Sequence, residues 1–249
     1  MRNLRALDLK RYWMREKNIM TVLKNKEREL ALKYKPVFMM DLHEPFAISA
    51  IGYTLFEQTQ KSDSFPKRSV AVDEKSVAFA IEYAVWFDYD IEHLYELEHV
   101  WVYVASDGSV HHAEGSFHGK YLNIVSLDTK EVPVSNQTHL VVYLQPGKHA
   151  VLPDARMVPL IPGWKESCNT TAGQAGVLIQ EMFRNQIVAD DQDQNKVRNY
   201  IKKKYSFEPA MEYKPFCPDD TIFMPWEQLK ESIPQRVNMQ LELIRRYYN

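Results

Sequence analysis

One stretch of the chain concentrates side chains of the types that bind metal ions. From Asp88 to His99 the sequence reads Asp-Tyr-Asp-Ile-Glu-His-Leu-Tyr-Glu-Leu-Glu-His. If the second half of this stretch is a β-strand, Glu96 and Glu98 point to the same face, about 7 Å apart. On a buried face, two unpaired carboxylates are costly, and either a bound cation or basic partners would remove that cost. No Arg or Lys lies nearby in the sequence, which favours a divalent metal ion.

His93 does not share the face of Glu96 by simple alternation, because the two residues lie three positions apart. It must project from the turn that enters the strand, or from a bulge. Imidazole and carboxylate groups are both good ligands for divalent first-row metals. The alternative is an edge strand with solvated Glu and His side chains, since edge strands often carry charge.

Two further histidines are predicted to lie near the same end of the sheet. His118 ends the next strand and precedes Gly119, which permits a close backbone approach. His149 follows a Pro-Gly-Lys turn at the end of a later strand. The predicted metal ligands are Asp90, His93, Glu96, Glu98, His118 and His149. The histidines favour zinc, manganese or iron, whereas the carboxylates favour magnesium or calcium.

The segments that must position these residues are predicted strands in the middle of the chain. Residues 77–87 alternate large apolar side chains with smaller or polar ones, as a strand does. Ser106-Asp107-Gly108 separates two such runs and predicts a hairpin. The predicted strands are 77–87, 96–104, 110–118 and 140–144. Their short connections indicate mainly antiparallel sheets.

Helices are predicted on both sides of these strands. Residues 4–34 form an amphipathic helix that Pro36 ends. Its apolar stripe consists of Tyr12, Ile19, Leu23, Leu30 and Tyr34. The stripe either docks on the chain's own core or pairs with another chain. Further helices are predicted at 171–183, at 193–204 with Asp193 as the cap, and from Ser232 onward with Val237, Leu241, Ile244 and Tyr248 on one face.

The predicted architecture is α+β, in one domain that spans residues 1–249. It consists of an N-terminal helix at 1–35, a β-rich core at 36–162 and a helical C-terminal part at 163–249. Within it, residues 58–68 and 206–220 are rich in polar residues and proline and are predicted to be loops.

Composition excludes several classes of protein. A net charge of -2 over 249 residues gives no basic field for nucleic acid. No apolar run is long enough for a membrane span, and the charged N-terminus has no apolar signal core. Cys168 and Cys217 form no disulfide framework, so a reducing compartment and a cytoplasmic location are expected.

Several blocks of residues resemble the necrosis- and ethylene-inducing-like proteins. That family has an aromatic strand, an Asp and then a G-H-R-H-D-W-E heptapeptide. The matching blocks here are Tyr83-Ala-Val-Trp86-Phe87-Asp88-Tyr-Asp90, His93-Leu-Tyr-Glu96-Leu-Glu98, Ser116-Phe-His118-Gly119-Lys-Tyr121, Val141-Val142-Tyr143 and Gly147-Lys148-His149-Ala150. They occur in the family's order over residues 83–150, about a quarter of the chain. Intracellular relatives of vacuolar-sorting type carry similar blocks.

The resemblance implies an antiparallel β-sandwich with a hard divalent cation at one end. It suggests that Asp90, His93, Glu96 and Glu98 are ligands or partners of ligands, with the two later histidines near them. The chain departs from the family pattern where Glu96 replaces an Asp, where Leu97 replaces the Trp, and in lacking the Gly-His-Arg lead-in. The family's activity as a secreted toxin is therefore not transferred.

Three functions remain open from the sequence. The first is a metal-dependent hydrolase, in which the metal activates water or polarises an ester, phosphate or glycosidic oxygen. The second is a non-enzymatic module that binds a small molecule, a glycan or a lipid headgroup. The third is an interaction protein with a structural polar cluster, in which the terminal helices bind partners or form a homo-oligomer.

Overall fold

Two large β-sheets, a small two-stranded sheet and flanking helices make up residues 22–248, the part of the chain that the computed structural model describes. The helices are α1 (22–33), α2 (Trp164–Cys168), α3 (Asp191–Tyr205) and α4 (Trp226–Tyr247), with short 3₁₀ helices at Ala155–Leu160, Glu181–Phe183 and Asp220–Ile222. The strands are β1 (Val37–Asp41), β2 (Ile48–Phe56), β3 (Gln60–Lys61), β4 (Ser69–Val70), β5 (Phe79–Tyr89), β6 (His93–Val104), β7 (Val110–Phe117), β8 (Lys120–Asn123), β9 (Val134–Ser135), β10 (His139–Leu144), β11 (Val151–Leu152), β12 (Gly176–Val177), β13 (Tyr213–Phe216) and β14 (Phe223–Pro225).

The larger sheet has the order β14-β2-β5-β6-β7-β8, and β12 pairs with the start of β6. Strands β2, β5, β6, β7 and β8 are consecutive antiparallel neighbours, as the short connections predict. Both faces of β5 and β6 are buried. One face packs into the main core, and the other, around Trp101 and Tyr103, packs against Phe56 and Val70.

The smaller sheet has the order β11-β10-β1-β13 and packs on the larger one. Phe38 and Val142 from the smaller sheet share one buried cluster with Val85 and Val100 from the larger sheet. The sheets approach closely at Gly115, where an added Cβ would lie 2.4 Å from a methyl group of Val151. The fold is therefore α+β, a mainly antiparallel β-sandwich with helices beside it, as expected. The pairs β1–β10, β2–β14 and β6–β12 are parallel.

Helix α4 covers one side of the larger sheet. Trp226 and Leu229 lie against Gly52 on β2, and the buried face of the helix continues through Val237 and Ile244. Its start differs from the predicted one at Ser232, because the apolar residues before Pro234 are also buried and extend the helix back to Trp226.

Helix α3 begins with a reciprocal cap rather than at the predicted Asp193. The Asp190 carboxylate accepts a hydrogen bond from the Asp193 N–H, and the Asp193 carboxylate accepts one from the Asp190 N–H. Asp193 also pairs with Arg245 of α4 at 2.6 Å. Asp193 thus takes part in the cap of α3 and also joins α3 to α4.

The first helix docks on the chain's own core where the structure describes it. The Tyr34 hydroxyl donates to the Gly108 carbonyl at 2.9 Å, and the Tyr83 hydroxyl donates to the Ala31 carbonyl at 2.8 Å. Leu23 of the predicted stripe is exposed. Residues 4–21 of the predicted helix, with Tyr12 and Ile19, lie outside the described residues.

The helix predicted at 171–183 is wrong. Residues 169–175 form turns, Gly176–Val177 forms β12, and only Glu181–Phe183 makes a 3₁₀ turn. Gly173 and Gly176 have φ of 80° and 66°, which interrupts a right-handed helix. The predicted loop at 206–220 is also partly a strand, since Tyr213–Phe216 pairs with β1.

The central strand predictions are confirmed with small shifts of their ends. The Asp107-Gly108 turn joins β6 and β7, with Gly108 at φ 83°. Strand β6 starts at His93, three residues before the predicted Glu96, because β12 pairs with that extension. No helix within residues 22–248 combines the length and the apolar character that crossing a membrane requires.

Candidate metal centre

The tight connection between β5 and β6 forms one wall of the site. The Asp90 N–H donates to the His93 carbonyl at 2.9 Å, and the Asp90 Oδ1 accepts from the Glu92 N–H at 2.7 Å. These two bonds close the turn and fix the Asp90 carboxylate at its centre. The side chain of Asp90 is fully buried.

His93 turns toward this carboxylate because strand β6 is irregular at Tyr95, two residues further along the chain. Tyr95 has φ of 55°, in the left-handed region that a non-glycine residue rarely adopts. The Tyr95 carbonyl accepts a hydrogen bond from His93 Nδ1 at 2.8 Å. Since that nitrogen must donate, Nε2 is the ring atom that faces the cluster and carries the lone pair in the neutral form. The irregularity expected from the spacing of His93 and Glu96 is thus present.

Asp90, His93 and Glu96 form the one group in residues 22–248 whose ligand atoms converge as a metal site requires. One atom from each lies within 4.8 Å of the others. His93 Nε2 is 3.6 Å from Asp90 Oδ1 and 3.4 Å from Glu96 Oε2. Asp90 and His93 are buried and Glu96 is half-buried. Nitrogen and carboxylate oxygen are a donor set that suits zinc, manganese or magnesium.

Asp90 has a buried oxygen that no described residue satisfies. Oδ2 lacks a hydrogen-bond partner, while Oδ1 accepts from both the Glu92 N–H and the Lys148 ammonium. An unsatisfied buried carboxylate oxygen is costly. A cation at Oδ2 would remove that cost, so the residues present fit a divalent metal.

A lysine distant in sequence also reaches this cluster. Lys148 Nζ is 2.8 Å from Asp90 Oδ1 and 3.2 Å from Glu92 Oε2. The sequence shows no basic residue near these carboxylates, and only the turn between β10 and β11 brings one in. Basic partners are the alternative to a metal ion for buried carboxylates, and Lys148 is such a partner for Asp90 and Glu92.

The charges of the cluster stabilise one another. Burial lowers the pKa of His93, but the Asp90 and Glu96 carboxylates outweigh it and raise that pKa to about 9. Burial raises the pKa of Glu96, but the hydrogen bond and charge of His93 lower it to about 2. Burial also lowers the pKa of Lys148, and Asp90 reverses that effect and raises it. Without a metal, a protonated His93 and the Lys148 ammonium balance the carboxylates.

Glu98 lies beside this group without joining it. It shares the pocket with Glu96, and its carboxylate accepts a hydrogen bond from the Ser116 hydroxyl. Burial, followed by the negative charge of Glu96, raises the pKa of Glu98 well above its usual value. The Glu98 carboxyl group is therefore harder to ionise than the Glu96 carboxyl group beside it.

The other two predicted ligands lie farther out. His118 lines the same pocket, but its Nε2 is held by the Gln145 side chain at 2.9 Å. His149 is fully buried elsewhere, with Nε2 3.3 Å from Glu44 Oε1 and its ring stacked on Phe87 at 3.8 Å. The structure thus brings together three of the six predicted residues, places two more along the pocket, and leaves His149 outside the group.

Two pockets adjoin each other beside the cluster. The first has a volume of about 450 Å³ and contains His93, Glu96, Glu98 and Ser116 among its lining residues. The second has about 470 Å³ and is lined mainly by polar side chains, including Gln145, Glu166, Thr171 and Gln174. His118 and Lys148 line both pockets. A ligand of small-molecule size fits either one.

Sequence reasoning missed Glu92, Tyr95 and Lys148 as parts of the site. Glu92 binds the segment after α2, since its carboxylate accepts from Gln174 Nε2 at 2.7 Å. No motif marks Tyr95, whose role depends on its backbone. Lys148 was visible only as the residue before His149 in a turn, a signal for a close approach but not for an ion pair.

Comparisons with known proteins return a distant likeness. No family model matches the chain, and no curated protein sequence does. Among solved structures, a triple mutant of NLPPya is 13% identical with a TM-score of 0.30, covering 64% of this chain and 84% of its own. NLPPya in complex with glucosamine is 11% identical (TM-score 0.31, 68% and 87% covered), and NLPPya in complex with mannosamine is 12% identical (TM-score 0.30, 68% and 88% covered).

These structural neighbours are necrosis- and ethylene-inducing-like proteins, the family that the sequence blocks resemble. The likeness is distant. At these values of identity and TM-score, nothing about the site of this chain follows from the likeness, and the two amino sugars are ligands of NLPPya.

Proposed function

We propose that this chain binds a divalent cation through Asp90, His93 and Glu96 and uses it to hold a carbohydrate. The observation that carries the proposal is the convergence of the three ligand atoms within 4.8 Å. The unsatisfied Asp90 Oδ2 supports it independently. Magnesium, calcium, manganese and zinc are the candidate cations, since the donor set does not separate them.

The pocket beside the cation site suits a polyhydroxylated ligand. Sugar hydroxyls both donate and accept, and this pocket offers carboxylates, the Ser116 hydroxyl and the His118 ring beside the apolar surface of Phe65 and Leu97. Its volume of about 450 Å³ lies within the range of small-molecule sites. We therefore propose a hexose or an amino sugar as the ligand. Glucosamine and mannosamine, with which NLPPya has been solved, serve as the first test ligands.

A metal-dependent hydrolase is the second candidate, and Glu98 favours it. Glu98 lies in the pocket next to Glu96 but is not part of the metal-binding group. A carboxyl group beside a metal is placed to act on a metal-activated water. Hydrolysis of a glycoside or ester that requires both the metal and Glu98 would distinguish this function from binding alone.

We also propose a cytoplasmic location, which the two free thiols Cys168 and Cys217 favour, because a reducing compartment keeps thiols unpaired.

We further propose that the chain associates with a second copy of itself through its terminal helices. Met239, Leu243 and Tyr247 recur every fourth residue on α4 and are all more than half exposed.

Titration calorimetry with each of the four cations tests the metal site. We expect the wild-type protein to bind one cation, and we expect His93→Ala and Glu96→Gln to weaken binding by at least about tenfold, because each removes a ligand. His111→Ala is the matched control, since this exposed histidine lies on β7 away from the pocket. No binding by the wild-type protein, or equal binding by all variants, contradicts the proposal.

The carbohydrate is tested separately with the metal-loaded protein. We expect glucosamine to perturb the NMR signals of residues that line the pocket, and we expect the perturbation to disappear after the cation is removed with a chelator. Perturbation that survives chelation would contradict a role for the metal in holding the sugar. Absence of perturbation with glucosamine, mannosamine and their parent hexoses would reject the ligand class while leaving the metal site standing.

A further inference from the structure

Lys148 lies between the carboxylates of Asp90 and Glu92. Its ammonium lies 2.8 Å from Asp90 Oδ1 and 3.2 Å from Glu92 Oε2. Only 13% of its side chain is exposed. Asp90 Oδ1 is also the oxygen that lies 3.6 Å from His93 Nε2 in the metal-binding group. An ammonium and a divalent cation at this oxygen would repel each other strongly, because little water separates them.

The turn that carries Lys148 is firmly attached to the site. Gly147 has φ of 69°, its N–H donates to Glu44 Oε2 at 2.8 Å, and its carbonyl accepts from the Ile91 N–H at 2.8 Å. A Cβ on Gly147 would lie 2.8 Å from the Ile91 Cβ, so only glycine allows this approach. His149 completes the attachment by stacking on Phe87. These contacts therefore fix the backbone of Lys148 beside Asp90.

We propose that Lys148 is a built-in competitor of the divalent cation, so that its ammonium sets the metal affinity of the site. This inference rests on the proposed metal-binding function. The metal-free cluster is stable because Lys148 neutralises Asp90. A cation bound at either oxygen of Asp90 lies next to this ammonium, so it must displace the ammonium from Oδ1 or bind against its repulsion.

Glu92 gives the displaced ammonium a second partner. Its Oε2 already lies 3.2 Å from Lys148 Nζ, and its Oε1 accepts from Gln174 and Thr171. A lysine that leaves Asp90 thus stays paired, which keeps displacement from stranding a buried charge. Lys148 lines both pockets, so metal binding would also move a positive charge toward the second pocket.

The experiment measures Mn²⁺ affinity by titration calorimetry on the full chain, with Mn²⁺ alone as the probe. Lys148→Gln removes the charge and keeps a donor for Asp90, Lys148→Met removes both, and Lys148→Arg keeps the charge. Lys165→Gln is the matched control, because this exposed lysine pairs with Glu208 on the surface. Circular dichroism verifies that each variant is folded.

We expect Lys148→Gln to bind Mn²⁺ about tenfold more tightly than the wild-type protein, as removal of one nearby charge predicts, and Lys148→Arg and Lys165→Gln to match the wild type. Binding by Lys148→Gln when the wild type shows none would support the competition but contradict metal binding by the wild-type chain. Equal or weaker binding by Lys148→Gln, with measurable wild-type binding, overturns the competition and leaves the metal site standing. Absence of binding in the wild type and in both neutral variants overturns the competition and the metal site together. If Lys148→Met unfolds without Mn²⁺, Lys148→Gln decides.

Discussion

Each of the three proposed ligands is oriented by a backbone group rather than by the cation. Asp90 Oδ1 accepts from the Glu92 N–H, His93 Nδ1 donates to the Tyr95 carbonyl, and Glu96 Oε1 accepts from the Leu97 N–H at 2.8 Å. Ligand atoms that are already held lose little freedom on binding a metal. The site is therefore organised before a cation arrives.

His99, on the opposite face of β6, makes stability depend on pH. Burial, with a smaller contribution from Arg68 and against the charge of Glu82, lowers the pKa of His99 to about 4. Its Nε2 bonds the Ser64 hydroxyl at 2.9 Å, and Nδ1 has no hydrogen-bond partner among the described residues. The folded protein thus holds this ring neutral.

The sign of the effect follows from the unfolded chain, in which histidine has a pKa of about 6.5. As the pH falls from about 6.5 to about 4, His99 binds a proton in the unfolded state but not in the folded state. The free energy of unfolding therefore decreases. We expect a loss of up to about 3 kcal/mol across this window. Urea unfolding at a series of pH values measures it.

His99→Gln removes this titration and keeps a polar group near Ser64, so its stability should change less over the same pH range. His111→Gln, at an exposed position of β7, should retain the wild-type pH dependence. The carboxylates titrate alike in all three proteins and cancel in the comparison. If the free energy of unfolding changes equally with pH in the wild type and in His99→Gln, His99 binds its proton as readily in the folded state as in the unfolded state, which contradicts the prediction.

At the scale of elements, the segment after α2 holds the β5–β6 turn in place. The Gly173 N–H donates to the Ile91 carbonyl at 2.8 Å, and the Ala175 N–H donates to the Glu92 carbonyl at 2.9 Å. A Cβ on Gly173 would lie 2.3 Å from the carbonyl oxygen of Arg198 on α3. The segment is therefore wedged between the turn that carries the site and a helix.

Gly173→Ala tests this wedge, and Gly163→Ala is its matched control. Both glycines have positive φ, 80° and 73°, but Gly163 has no atom within 4 Å of its added Cβ. We expect Gly163→Ala to lower the free energy of unfolding by about 1 kcal/mol, the cost of a left-handed alanine. Gly173→Ala should cost about 2 kcal/mol more, because backbone atoms must move apart. Chemical denaturation of the two variants measures the difference.

Gly173→Ala should also weaken metal binding more than Gly163→Ala, since the displaced segment supports Asp90 and His93 through the turn. Equal losses of stability in the two variants would show that the Arg198 carbonyl yields easily and that the segment does not brace the site.

Sequence periodicity predicts the elements that pack through regular alternation and fails where glycine geometry decides. The strands around Phe87 and Val102 follow from their period of two, and the turn at Asp107-Gly108 follows from its residue types. A helix is predicted at 171–183 because Thr171 or an upstream polar residue can cap one, but Gly173 and Gly176 adopt positive φ and the backbone pairs with β6. Which backbone conformation a glycine takes depends on its tertiary contacts, which the sequence does not display.

At the scale of the whole molecule, the site joins the two sheets. Asp90, His93 and Glu96 come from one connection of the larger sheet, so their local spacing predicts them. Lys148 comes from the end of β10 in the smaller sheet, 58 residues away from Asp90. The contact between Lys148 and Asp90 depends on how the two sheets pack, and no local sequence pattern indicates that packing. The same packing turns His149 toward Glu44 and away from the predicted ligands.

The most direct test of the central claim is the anomalous diffraction of a crystal of this protein soaked in Mn²⁺. The account predicts one strong anomalous peak at about 2 Å from His93 Nε2 and from carboxylate oxygens of Asp90 and Glu96, with the Lys148 ammonium displaced from Asp90 toward Glu92. A fully occupied Lys148–Asp90 ion pair, with no peak among these three side chains at saturating Mn²⁺, would contradict it.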